Sequence, residues 1–198
     1  GLQGGHRVLI HAGASGVGTA AIQLTRHAGA HPYITASAPK HDRCRLLGAE
    51  ATIDYQTEDF AARVVEATDG AGVHLILDFI GAPYFHKNVE SLAMDGRIIQ
   101  LATLGGSTVE SVSLRDLMAK RAQLLASTLR SRSLAYKVQL TQEFAADILP
   151  AFVDGALRPV IDSTYDWTEV TTAHDRMENN ENAGKIVLRI AAAPEEME

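Results

Sequence analysis

The stretch HRVLIHAGASGVGTAAIQL, residues 6–24, constrains the fold more than any other. A short apolar run enters a break of small residues and passes directly into a helical pattern. Apolar runs of this length read as buried strands. A glycine-rich turn between a strand and a helix is the opening of a βαβ unit. Gly13 makes the tight turn, Gly16 and Val17 supply backbone N–H groups, and Gly18 lets the helix approach the sheet. Ser15 stands where the middle glycine of G-x-G-x-x-G would be, small enough for close approach and able to donate its hydroxyl. Helix N-termini carry unpaired N–H groups and a positive dipole end, so the turn suits an anionic phosphate group. The alternative is a tight turn with no ligand.

The rhythm continues. Strand patterns at 7–12, 32–37, 51–55, 73–81, 96–104 and 123–129 alternate with helical ones at 16–27, 40–48, 58–68, YFHKNVESLAM and RDLMAKRA. Six such alternations predict an α/β fold, a doubly wound six-stranded parallel sheet of the Rossmann kind, with ligands at the carboxyl ends of the strands. Beyond Arg132 the pattern becomes LAYKVQLTQEFAADILPAFVDGAL, helical with a break at Pro150, then an extended RPVIDSTYDW, a capped short helix and a last strand, GKIVLRI. The expected organisation is a cofactor domain over 1–150, a C-terminal segment over 151–190, and a disordered acidic tail over 191–198.

At the end of the second strand, where an acidic residue holds the ribose hydroxyls of NAD, the chain reads TASAPK. A carboxylate would repel a 2′-phosphate. Ser37 and Lys40 attract one, so NADP(H) is the expected cofactor. The competing assignment makes Ser37 a helix cap and Lys40 a solvated charge.

Composition narrows the rest. A formal charge of −6 argues against a dedicated nucleic-acid surface. No run approaches the roughly 18 apolar residues of a membrane span. Cys44, the single cysteine, excludes internal disulfides and fits a reducing, cytoplasmic compartment; it reads as a small helix residue rather than a reactive thiol. Eight scattered histidines with no partnering cysteine cluster predict no metal site.

Together, VLIHAGASGVGTAAIQL, LGAEATIDYQTEDF, LILDFIGAPYF and STLRSR resemble the zinc-independent quinone oxidoreductases (the zeta-crystallin-like branch) of the medium-chain dehydrogenase/reductase superfamily, over nearly the whole chain. The resemblance implies NADPH-dependent reduction of a quinone or related α,β-unsaturated carbonyl. It implies that Ser37, Lys40 and Tyr55 contact the 2′-phosphate, that Ile80, Gly81, Thr103 and Leu104 line the nicotinamide ribose, and that Leu129 and Arg130 meet the nicotinamide end. No catalytic acid–base pair is expected, since the cofactor carries the chemistry; Asp78 is expected to be a structural hydrogen-bond partner. Family members begin with a GroES-like catalytic domain, absent here, so this chain is expected to be a cofactor-binding part with little activity alone. GKIVLRI would then lack its usual sheet partners. Homodimerisation through the sheet edge near QLLASTL is a further implication. Alternatives are an enoyl reductase domain of a fatty-acid or polyketide synthase, a zinc-dependent alcohol dehydrogenase, and a non-catalytic cofactor-binding or dimerisation module. An RNA-binding role for Arg130, Arg132 and Lys137 is weaker than a cofactor-facing or solvated one.

Overall fold

A computed structural model describes residues 1–190; the expected tail, 191–198, lies outside the described residues. The first strand, β1 (Arg7–Ile10), is followed by α1 (Gly16–His27), β2 (His31–Ala36), α2 (His41–Leu46), β3 (Ala51–Asp54), α3 (Phe60–Ala67), β4 (Val73–Asp78), α4 (Phe85–Ser91), β5 (Leu92–Gln100), α5 (Leu114–Lys120) and β6 (Gln123–Ala126). These strands form one sheet in the order β3-β2-β1-β4-β5-β6. Every pairing is parallel. The order reverses between β1 and its neighbours β2 and β4, which opens a crevice at their carboxyl ends.

Alternation along β1 explains why both faces of the sheet are covered. Leu9 packs with Phe60 and Val64 of α3 and Phe85 and Val89 of α4. Val8 and Ile10 face the other way, onto Ala21 and Ile22 of α1 and Cys44 of α2. Helix starts are marked by side-chain caps. The Ser15 hydroxyl accepts from Gly18 N–H, and the Asp59 carboxylate accepts from Ala61 and Ala62 N–H. Each such cap stabilises its helix by about 1 kcal/mol.

One boundary differs from the sequence expectation for a physical reason, and a second, the break at Pro150, falls where the sequence predicts it. The helix expected through Met94 stops at Ser91, because Leu92 turns extended, buries its side chain completely and pairs with Val73. The long C-terminal helical pattern divides into α6 (Leu134–Asp147) and α7 (Leu149–Val153), with Pro150 at the start of α7, where its missing N–H costs no helix bond. After α7 come β7 (Ile161–Asp166), α8 (Val170–Glu178) and β8 (Lys185–Arg189). GKIVLRI has a partner: β8 pairs with β7 in parallel as a separate two-stranded sheet.

That C-terminal segment lies against the large sheet's helices. Gln23 on α1 accepts from Arg158 N–H and donates to Arg158 carbonyl, both at 3.0 Å. Arg43 on α2 donates to the Ile161 carbonyl at 3.0 Å. Gly184 N–H donates to the Ala14 carbonyl at 2.9 Å, tying the start of β8 to the glycine turn.

Candidate functional site

A cleft of about 800 Å³ opens at the carboxyl ends of β1, β2 and β4. Its floor is the glycine turn. The chain reverses through Ala12, held at φ 49°, and Ser15 N–H closes the turn onto the Ala12 carbonyl at 2.9 Å. Ser15, Gly16 and Val17 line the cleft. Gly13 and Gly18 stand beneath it. A Cβ on Gly13 would lie 2.6 Å from Ile34 Cβ, and one on Gly18 would lie 2.3 Å from the Ala12 carbonyl oxygen. Their lack of a side chain lets α1 start close against the sheet. The first-turn N–H groups of Gly16 and Val17 have no intrahelical acceptor, and no acidic side chain occupies that turn.

One end of the cleft is formed where β2 and β3 finish. Ser37, Lys40 and Tyr55 all line it. Ser37 precedes a short helical turn but makes no side-chain cap bond, so its hydroxyl is not used for capping. Lys40 is half-buried, and desolvation holds its ammonium below the usual lysine range. It donates to Asn180 Oδ1 at 2.8 Å.

The opposite end is formed by the loops after β4 and β5. Ile80 and Leu104 line the cleft together with Phe79, Tyr84 and Ala102. Gly81 and Thr103 brace them from behind. Gly81 has φ 90°, and a Cβ there would sit 2.5 Å from the Gly106 carbonyl oxygen and 3.1 Å from Thr103 Cα. Three backbone bonds of 2.8–3.0 Å knit these loops: Leu104 to Phe79, Gly105 to Ile80 and Ala82 to Gly106. Leu129 and Arg130 do not join this wall; both are exposed beyond the end of β6. Asp78 is buried, and its carboxylate accepts from Ile80 N–H and Gly81 N–H.

The third wall comes from residues that sequence reasoning did not place at the site. Met177, Asn180, Asn182, Gly184, Lys185 and Ile186 arrive from α8, β8 and the loop between them. The Lys185 stem crosses Gly16, so that a Cβ there would meet Lys185 Cε at 2.3 Å and Nζ at 2.9 Å. Lys185 makes no ion pair among the described residues. A cation beside the positive end of a helix is unfavourable unless an anion joins them. The only local hint was the Gly-Lys pair opening the last strand. The loop is fixed by Asp162, which accepts from Arg176 Nε at 2.7 Å and from Ala183 N–H at 2.9 Å. Those donors pull the Asp162 carboxyl from 3.8 down to about 2.

Two lysines and no carboxylate therefore line the cleft. Among the described residues no three His, Cys, Asp or Glu side chains converge to hold a metal ion, and no helix is long and apolar enough to cross a membrane.

Comparison with known proteins agrees with this architecture. A family model described as zinc-binding dehydrogenase matches residues 47–188. The chain is 33% identical over 194 residues to part of a phenolphthiocerol/phthiocerol polyketide synthase of Mycobacterium tuberculosis, covering 96% of this chain and 9% of that protein. It superimposes with a TM-score of 0.80 on a quinone oxidoreductase of Pseudomonas syringae, at 29% identity, covering 95% of this chain and 57% of that one. A mycobacterial structure in complex with NADPH gives a TM-score of 0.78 at 30% identity, over 95% of this chain and 58% of that one. The chain thus spans little more than half of these solved relatives and about a tenth of the synthase. With the family model covering well over half of its residues, the protein belongs to the zinc-binding dehydrogenase family of the medium-chain dehydrogenase/reductase superfamily, whose cofactor domain it contains.

Proposed function

We propose that the cleft binds NADP(H), and that the chain is the cofactor-binding part of a zinc-independent oxidoreductase acting on a quinone or related α,β-unsaturated carbonyl. One observation carries the cofactor assignment: Lys185 lines the cleft at the N-terminus of α1 and Lys40 lines the end where β2 and β3 finish, with no carboxylate among the lining residues. A pyrophosphate would lie against the Gly16 and Val17 N–H groups, with the Ser15 hydroxyl and Lys185 beside it. Ser37, Lys40 and Tyr55 would hold the 2′-phosphate, supported by the same lack of acidic neighbours. Ile80 and Leu104, at the other end, would orient the nicotinamide half and keep water from it. When bound, the cofactor supplies a hydride; positioning it is the work these residues do. The similarity to a quinone oxidoreductase and to a structure with NADPH supports both halves of the assignment.

Titrating the chain with NADPH and NADH tests this. NADPH should bind at least about tenfold more tightly, a difference of ~1.4 kcal/mol, and Lys40→Ala should abolish the preference. Equal affinities in the unsubstituted chain would remove Ser37, Lys40 and Tyr55 from a phosphate site. By itself the chain should bind cofactor yet reduce quinone slowly or not at all.

The polyketide synthase similarity favours a second reading, enoyl reduction on a thioester within a synthase. Turnover of an enoyl thioester in preference to quinone by the whole parent protein would select it. We also propose that two copies associate edge to edge along β6, where Leu124 and Leu125 are exposed and, among the described residues, only β5 is paired. Sedimentation of the chain and of Leu124→Lys tests that association.

A further inference from the structure

One fully buried titratable side chain has no part in the cleft described above: His11, immediately after β1. Its ring lies edge-on between Phe60, 4.9 Å away, and Tyr84, 4.7 Å away. His11 Nδ1 is 3.0 Å from Thr35 Oγ1, and Nε2 is 2.7 Å from Asn88 Oδ1. Asn88, also without exposed surface, donates its Nδ2 to Asp78 Oδ2 at 2.9 Å. The other Asp78 oxygen accepts from Ile80 N–H at 2.6 Å and from Gly81 N–H at 3.0 Å.

The direction of every bond follows from the carboxylate. An ionised carboxylate only accepts, so Asn88 must turn its amide nitrogen to Asp78 and its carbonyl oxygen to His11. His11 then carries its proton on Nε2, which donates to Asn88. Its Nδ1 is bare and accepts from the Thr35 hydroxyl. Burial pushes the imidazole below its usual pKa, in keeping with a neutral ring.

This chain of bonds runs beneath the cleft from one end to the other. Thr35 lies on β2 two residues before Ser37, and its carbonyl accepts from Gly13 N–H at 2.9 Å. Ile80 and Gly81 form the turn at the far end. Thr35, Tyr84 and Ile80 themselves line the cleft. We infer that His11 is a positioning residue, its neutral Nε2–H tautomer linking the glycine turn and β2 to the Ile80 turn and so setting the span over which a dinucleotide is held. This rests on the NADP(H) assignment above, and it concerns distance between the two ends rather than affinity at either one.

The test compares NADPH with adenosine 2′,5′-bisphosphate, which carries the phosphates of one end without the nicotinamide. His11→Phe and Asn88→Ser should each weaken NADPH by about tenfold, the scale of a buried hydrogen bond broken on one side. Bisphosphate affinity should stay within about twofold, because that ligand engages only the glycine-turn and β2 end and does not depend on the span to the Ile80 turn. His11→Gln, whose amide can donate to Asn88, should recover most of the NADPH affinity. Asn88→Ser leaves room for a bridging water and decides the matter if His11→Phe does not fold. Equal weakening of both ligands, or of neither, would reduce His11 to a packing residue. Failure of the unsubstituted chain to bind either ligand would instead overturn the cofactor assignment, and the inference with it. Independently of any ligand, nitrogen-15 NMR at about pH 8, where the ring is neutral, should show His11 protonated only at Nε2. A proton on Nδ1 would refute the bond directions.

Discussion

Strands β1 and β6 read alike in sequence, and the structure treats them in opposite ways. β1 sits between β2 and β4 with helices on both faces, and Leu9 has no exposed surface. β6 has one neighbour among the described residues, and Leu124 and Leu125 are 51% and 46% exposed. The contrast extends to the surrounding chain. Apart from Ala151, Leu157, Val160 and Ala173, every buried apolar side chain among the described residues lies between Val8 and Ile98, while residues 101–150 contribute none. An apolar run thus reports that a segment can pair in a sheet. Whether it is buried depends on what the topology stacks against it.

The sharpest test of that contrast is stability. Ile76→Ala on β4 should cost about 2–5 kcal/mol, whereas Leu124→Ala on β6 should stay within about 1 kcal/mol. Urea unfolding of both variants would break the comparison if their losses matched. Next in size is the glycine turn, where two neighbouring positions differ in what they touch. Gly18→Ala drives a Cβ into the Ala12 backbone and should cost about 1–3 kcal/mol. Gly16→Ala meets only the movable end of Lys185, so cofactor affinity should fall with little change in stability. Thermal unfolding run beside NADPH titration separates the two.

The C-terminal wall allows a third test. Arg176 and the Ala183 N–H hold the folded Asp162 carboxyl at about 2 against an ordinary 3.8. A depressed carboxylate contributes stability above the unfolded value, lost as pH falls through the folded one. The contribution is about 2 kcal/mol at neutral pH. Asp162→Asn should therefore be less stable than the parent chain at pH 7, with the gap closing between pH 3.8 and about 2. A gap independent of pH would mean that the ion pair does not anchor the loop. The smallest effect concerns the amino edge of the sheet. There His74 stacks on His6 at 4.6 Å and accepts from Arg7 N–H at 3.1 Å. Burial, Arg7 and His6 hold its pKa below 6.5. A histidine with a depressed folded pKa favours folding above its unfolded value, and that contribution is lost as pH falls below it. Part of the drop in unfolding midpoint below pH 6.5 should therefore disappear in His74→Gln; His11, shifted in the same direction, accounts for a further part.

Much of this molecule was legible in advance because its signals are local. The apolar runs marked the six parallel strands in their order, with the fifth beginning four residues earlier than expected, the small residues of HAGASGVG marked the turn, and TASAPK put Ser37 and Lys40 at the end of β2. Sheet pairing and turn chemistry depend on residues a few positions apart, so a single sequence carries them. Packing across the chain is different. Lys40 meets Asn180 across 140 positions, and Lys185 crosses Gly16 because β8 pairs with β7 and Gly184 bonds to Ala14. No periodicity near residue 185 encodes that approach.

The same limit applied to Leu129 and Arg130, whose distance from the cleft depends on where the chain turns after β6. It applied equally to His11, which looked like one scattered histidine until β2 and α4 brought Thr35 and Asn88 to its two ring nitrogens. By itself the sequence determined a parallel sheet with an anion-suited turn and no acidic residue to repel a 2′-phosphate. Only the tertiary structure decided which distant side chains complete the cleft, because those contacts arise from the packing of whole elements and leave no local mark.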